Sequence, residues 1–294
     1  MSLWIDIADK ISNATGTAFQ CNNQQAAGGG CINSTYTVRD NHRAFFVKLN
    51  SADLSDMFEA EAVGLNEMAA SNSIRVPAAI CSGISGNQAF LVLEQLELTN
   101  CNTQSHDQLG QMLAQMHHCY SERFGWYRDN TIGSTPQHND QSSNWVSFWR
   151  NQRLGFQLTL AARSGHSGHL QQLGEKLLPE IDCFFSGYKP CASLLHGDLW
   201  SGNYAFVNDG SPVIFDPAVY YGDREADLAM TELFGGFNTR FYQAYEDAYP
   251  LDAGYAQRKV LYNLYHVLNH LNLFGGGYLS QAESMMNRLL AELR

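Results

Sequence analysis

Three side chains at fixed intervals carry the chemistry open to this chain. Asp198 lies in His196-Gly-Asp198, Asn203 follows five residues later, and Asp216 ends the apolar run Pro212-Val-Ile-Phe215. A carboxylate, an amide and a second carboxylate in that order are what phosphoryl transfer requires. The first accepts a hydroxyl proton, and the other two hold magnesium on nucleotide phosphates. Each of these residues is also an ordinary turn former, and a turn feeding a buried strand would explain any one of them, Asp216 with Pro217 behind it above all. It does not explain all three in register. Asp198 is therefore the candidate catalytic base, and Asn203 and Asp216 are the candidate ligands of Mg2+, which favours hard oxygen donors.

Upstream, Lys48 is the one charge inside the apolar strand Ala44-Phe-Phe-Val-Lys-Leu49, and such a residue must find water or a partner. In a kinase it would meet the ATP α- and β-phosphates and a helix glutamate. Glu61 is the first choice for that glutamate because Leu65 and Met68 lie on its inward side, with Glu59 as the alternative. Gly28, Gly29 and Gly30 could bring backbone N–H groups to the phosphates. They match neither G-x-G-x-x-G nor the Walker loop, and three glycines also make a plain flexible turn. Cys31 beside them is either an unremarkable small residue or a thiol whose oxidation would inhibit.

These residues need two kinds of scaffold. The first hundred residues read as a small β-rich lobe, with strands at Tyr36-Thr-Val38, Ala44–Leu49 and Gln88–Leu93 and one main helix from about Asp53 to Ala70. From about Thr99 the pattern turns helical, with amphipathic runs at 109–116, 145–160 and 170–185. The expected fold is α+β and bilobal, like a protein kinase. Residues 1–96 would form the nucleotide-binding lobe, and 97–294 the catalytic and substrate lobe. The joint would fall at Glu94-Gln-Leu96, where Glu94 and Leu96 would border the nucleotide. Asp227 falls at a helix start, as a cap or as a brace for the catalytic loop. His266, Asn269 and His270 share one helix face, as buried core polars or as a wall of the acceptor pocket.

Composition narrows the partners. The 294 residues carry 18 Lys and Arg against 29 Asp and Glu, a net charge of −11, with no basic run. That balance argues against nucleic acid as a ligand. Neither a signal peptide nor a membrane span is expected, since Met1–Lys10 has no apolar stretch and 260–274 is interrupted by Asn and His. Seven cysteines, odd in number and without a C-x-x-C pair, suit a reducing cytoplasm and indicate neither disulfides nor zinc. The chain is expected to be a monomer or a homodimer.

Reading outward, the motifs become specific. His196-Gly-Asp-Leu-Trp-Ser-Gly-Asn203, Asp216-Pro-Ala-Val-Tyr-Tyr-Gly-Asp-Arg-Glu-Ala-Asp-Leu-Ala-Met230 and Leu233-Phe-Gly-Gly-Phe237 together resemble the fructosamine/ketosamine-3-kinase family. Further matches are Gly28-Gly-Gly-Cys31, Phe46-Val-Lys48, Phe58-Glu-Ala-Glu61, Asn130-Thr-Ile-Gly133 with Gln137, and 265–275. The HGD…N core is shared with aminoglycoside and choline kinases; Trp200 and the Asp216–Met230 block are what single out this family. The resemblance implies ATP-dependent phosphorylation of the 3-hydroxyl of a ketosamine, free or protein-bound, in the repair of glycated amines. It implies that Trp200 stacks on the substrate beside Asp198; packing beside the loop is its alternative role. Asp216-Pro-Ala in place of D-F-G, and the absence of A-P-E, argue against protein-kinase activity.

Overall fold

The architecture is seen in a computed structural model that describes residues 3–28, 32–100, 102 and 104–293. Helix α1 (Leu3–Thr15) precedes strands β1 (Asn23–Ala26), β2 (Ser34–Arg39) and β3 (Ala44–Ser51). Helix α2 (Ser55–Ala70) follows, then β4 (Ala79–Ser85) and β5 (Gln88–Glu94). The five strands form one antiparallel sheet in the order β1-β2-β3-β5-β4.

Side-chain alternation sorts this sheet into two faces. Val47 and Leu49 of β3, with Phe90 and Val92 of β5, pack with Ile7 and Ile11 of α1. Ala89, Leu91 and Leu93 point the other way and join Met57, Phe58, Leu65 and Met68 of α2. Lys48 sits between Val47 and Leu49, so the pleat sends it to the α2 side. The sheet thus has two helices where the sequence suggested one main helix. The signal for α1 was present in Leu3, Ile7 and Ile11, a four-residue spacing whose last two members are fully buried.

The rest is mainly helical: α3 (Ser105–His117), α4 (Trp145–Phe148), α5 (Phe156–Arg163), α6 (His169–Leu177), α7 (Glu225–Leu233), α8 (Thr239–Ala248), α9 (Tyr255–Phe274) and α10 (Tyr278–Glu292). The run expected as one helix from 145 passes through a π-helical segment, Trp149–Gly155. That segment places the fully buried Arg153 over the Tyr220 ring (4.2 Å) and the Phe148 ring (4.6 Å). Short strands hold the loops: β6 (Leu98–Thr99), β7 (Tyr120–Ser121), β8 (Asn130–Ile132), β9 (Thr135–Gln137), β10 (Ala192–Leu195), β11 (Tyr204–Val207), β12 (Pro212–Ile214) and β13 (Tyr220–Gly222). Strand β10 lies between β7 and β13, and β11 between β6 and β12. Among the described residues no helix is long and apolar enough to cross a membrane.

The larger core does not stop at the sheet. Phe58, Leu65, Met68, Leu91 and Leu93 belong to the same buried cluster as Trp126, Trp145, Leu195, Leu228 and Leu264 of the helical part.

Candidate active site

Between the sheet and the helical part lies a cavity of about 970 Å³, and the residues singled out by sequence converge on it. Gly28, Lys48, Glu61, Glu94, Leu96, Asp198, Trp200, Asn203 and Asp216 all line it. Gly29, Gly30 and Cys31 lie outside the described residues.

Lys48 is 3% exposed, and its Nζ donates to Glu61 Oε1 at 2.6 Å and to Asp216 Oδ1 at 2.5 Å. Burial alone would push the amine's pKa down; the Asp216 and Glu61 carboxylates outweigh that and leave it raised. Lys48 is therefore a fixed cation between two lobes. Glu59, the alternative partner, is exposed.

Asp198 and Asp216 stand on two loops whose shapes are enforced from below. His196 is fully buried, its Nε2 lies 2.9 Å from the Phe215 carbonyl, and its Nδ1 lies 3.2 Å from the Asp198 N–H. A carbonyl can only accept, so Nε2 carries the proton and the ring is neutral, as its burial favours. Gly197 has φ +82°, and a β-carbon there would stand 2.1 Å from the Ala218 carbonyl oxygen, so neither torsion nor space admits a side chain. Asp227 resolves the choice left open by sequence. It lies in the first turn of α7, and its carboxylate accepts the N–H groups of His196 (2.7 Å) and Gly197 (2.8 Å). It also faces His117 Nε2 at 3.2 Å. Asp227 is a brace under the loop.

The strand after Asp216 is held from the other side. Asn130 Nδ2 donates to the Val219 carbonyl (2.8 Å), and Gln137 Nε2 donates to the Ala218 carbonyl (3.1 Å). Tyr265 OH closes the network on Gln137 Oε1 at 2.7 Å. Asp216 itself has φ +58°, a left-handed backbone that aspartate tolerates better than most residues, and it turns its carboxylate to the cleft.

Asn203 Nδ2 donates to the Asp198 carbonyl at 2.8 Å, which leaves the amide oxygen as the end available to a cation. Asp216 adds carboxylate oxygens, so the donor set is the hard oxygen set that magnesium favours. Among the described residues no three His, Cys, Asp or Glu side chains stand where they could hold a metal by themselves. Asp198 is half-buried, and its pKa is pushed up to about 7. Burial contributes most, then the charges of Asp216 and Asp227, while the Asn203 amide pulls the other way.

Trp200 is 38% exposed. The outer edge of its indole ring crowds Gly202, where a β-carbon would come within 2.4 Å of it. Glu94, at the end of β5, has its carboxylate taken up by Arg75 Nη2 (2.7 Å) and the Ala78 N–H (3.2 Å). Of the α9 polar face, Asn269 and His270 line the cavity while His266 is buried behind it.

The chain is similar to known proteins over nearly its whole length. The family model described as fructosamine kinase matches residues 3–292. A Synechocystis protein named probable ketoamine kinase is 49% identical over 288 residues, covering 98% of this chain and 97% of its own. The chloroplastic protein-ribulosamine 3-kinase of Arabidopsis thaliana is 42% identical, covering 95% of this chain and 86% of its own. Among solved structures, a Haemophilus somnus protein assigned as a fructosamine-3-kinase superposes with a TM-score of 0.89 at 30% identity, covering 98% of this chain and 100% of its own. A choline kinase from Streptococcus pneumoniae gives 0.64 at 14% identity, covering 98% of each chain, a likeness of fold alone.

Proposed function

The chain belongs to the fructosamine kinase family, and we propose that it transfers the terminal phosphate of ATP to the 3-hydroxyl of ketosamines. The observation that carries this reading is the convergence of Lys48, Glu61, Asp198, Asn203 and Asp216 on one cavity bordered by Trp200. Lys48, held charged by Glu61 and Asp216, would meet the α- and β-phosphates. Gly28 would border them. With the Glu94 carboxylate already occupied, the main chain of Glu94–Leu96 is what this segment offers the base. Asn203 and Asp216 would hold Mg2+, which supplies charge neutralisation on the phosphates when bound.

Asp198 accepts the proton of the attacking hydroxyl as its oxygen bonds to the γ-phosphorus and the bond to the β-phosphate oxygen breaks. A base with a pKa near 7 is well matched to that step at neutral pH. The acceptor is narrowed by Trp200, whose open indole face can stack on sugar C–H groups or a nearby ammonium. A phosphate on C3 makes the adduct prone to eliminate, which supports a role in repairing glycated amines, free or protein-bound. The five described cysteines are unpaired, which supports a cytoplasmic location.

ATP consumption across ribulosamines, fructosamines and erythrulosamines, with the phosphate position read by NMR, tests this reading. Turnover at the 3-hydroxyl of at least one is expected; turnover confined to aminoglycosides or choline would overturn it. Gly202→Ala isolates the tryptophan, because the added methyl must displace the indole. Acceptor KM should rise about 10-fold, equivalent to about 1.4 kcal/mol of lost stacking, with KM for ATP unchanged. An unaltered acceptor KM would take Trp200 out of the substrate site.

A further inference from the structure

In kinases the strand lysine works as a pair with a helix glutamate, and here the glutamate that Lys48 meets, Glu61, rides on α2. Less than two turns further along α2, Glu67 is held by the opposite lobe. Its Oε2 accepts the indole N–H of Trp126 and its Oε1 accepts the hydroxyl of Tyr221, each at 2.8 Å. Tyr221 lies on β13, five residues after Asp216. That strand pairs with β10, whose end runs into His196-Gly-Asp198. One carboxylate therefore ties the helix of Glu61 to the strand that connects the loops of both aspartates.

The surroundings fit a tie set at close range. Gly64 lies three residues from Glu61 and three from Glu67. A β-carbon on it would stand 3.0 Å from Val219 Cγ2, so the helix lies against the residue preceding β13 more closely than a side chain here would comfortably allow. Phe58, Leu65 and Met68 seat the same helix in the large core. The Tyr221 hydroxyl is kept protonated, first by burial and then by the Glu67 carboxylate, so it remains a donor across the physiological range. Two donors on one partly buried carboxylate are charge-assisted hydrogen bonds, the stronger kind. The other polar contact reaching α2 from this side, Arg128 with Asp56, ends on a carboxylate that is 78% exposed and contributes little.

We infer that Glu67 is a positioning residue for the nucleotide site. By bridging Trp126 and Tyr221 it sets α2 against β13, so that Glu61 meets Lys48 in the resting enzyme and no separate step is needed to bring the helix in. This explains a residue of the Asp216–Met230 block that phosphoryl transfer does not itself require. Tyr221 acts through α2 and touches no substrate.

The test is binding of a non-hydrolysable ATP analogue with magnesium, by titration calorimetry, together with KM for ATP and for the acceptor. Glu67→Ala and Tyr221→Phe are measured alone and in a Glu61→Gln background. Glu67→Ala should weaken analogue binding and raise KM for ATP about 10-fold, with acceptor KM within about twofold. Tyr221→Phe should lose about threefold, and Glu67→Gln, which still accepts one donor, should fall between wild type and alanine. In Glu61→Gln the same changes should add less than about twofold, because the contact they preserve is already gone. Analogue binding within twofold of wild type, or an undiminished loss in the Glu61→Gln background, would overturn the inference. If Glu67→Ala does not fold, Tyr221→Phe, which removes one oxygen atom, decides by the same criteria. The inference rests on the kinase reading only through the contact of Lys48 with nucleotide. A wild-type enzyme that binds the analogue yet phosphorylates no ketosamine would overturn the substrate assignment and leave this one standing.

Discussion

Asp198→Asn is expected to lower kcat by about 10²–10⁴-fold and, at pH 8, to raise the melting temperature. Asparagine keeps the shape of the side chain and cannot take the hydroxyl proton. The gain in stability follows from the site's own electrostatics. Burial, with Asp216 and Asp227 nearby, pushes the Asp198 pKa up to about 7 in the folded protein, whereas an unfolded aspartate ionises near about 3.9. A raised carboxylate contributes stability that is complete below the unfolded pKa and is lost as pH rises through the folded one. Wild type therefore gives up stability between about pH 4 and 7 that the neutral amide retains. Allowing for the solvent that reaches this half-buried group, the variant should be more stable by about 1–3 kcal/mol at pH 8 and by nothing near pH 4. Wild-type turnover should rise with pH through 7 as the base is freed. Kinetics at saturating substrates and melting curves at the two pH values check both halves. A variant keeping a tenth of wild-type kcat would remove Asp198 from its role, and equal melting at pH 8 would contradict the raised pKa.

Asp227→Ala should cost stability where Asp198→Asn adds it, damaging fold and catalysis together. Its carboxylate takes two loop N–H groups and faces His117 in a fully buried setting. Burial pushes its pKa up, but the hydrogen bond and charge of His117, with His196 and Gly197, outweigh that and hold it low. Alanine would strand those donors without water, at a cost of about 3–5 kcal/mol, or roughly 5–10 °C in Tm. The fraction that stays folded should turn over at least about 10-fold more slowly, because the Asp198 loop loses its floor. Asp227→Asn keeps one acceptor oxygen and should lose less on both counts. Thermal melting with kcat measured below the transition decides the matter: a Tm within 2 °C of wild type would mean that the loop is held by something else.

The reacting groups were legible because each sits in a short local pattern. Asp198, Asn203 and Asp216 declare themselves by spacing, and Lys48 by being a charge within an apolar strand. Helix α2 was readable from its stripe, and β3 and β5 from their short apolar runs. What escaped is held together across long stretches of chain. Glu67 meets Trp126 and Tyr221 across 59 and 154 residues, and Arg153 stacks on Tyr220 from a π-helical turn that no period announces. Helix α1 is hard to read for a different reason: Leu3, Ile7 and Ile11 carry its apolar spacing, but one short stripe of three positions does not stand out as a period. The two roles left open for Asp227 could not be separated by sequence, because a cap and a brace ask for the same residue at the same place.

The continuity of the large core across the two lobes bears on how the molecule could be divided. A cut at 96/97, where the sequence suggests a joint, would pass through one buried cluster and not between two. Phe58, Leu65 and Met68 would leave with the smaller fragment, while Trp126, Leu195 and Leu264, members of the same cluster, would stay with the larger. Each fragment would present to water the face that the other now covers. With one core spanning both parts, a fragment ending or beginning there is expected to aggregate, and a chimaera spliced at that point to lose stability, unless the facing apolar residues are exchanged along with it.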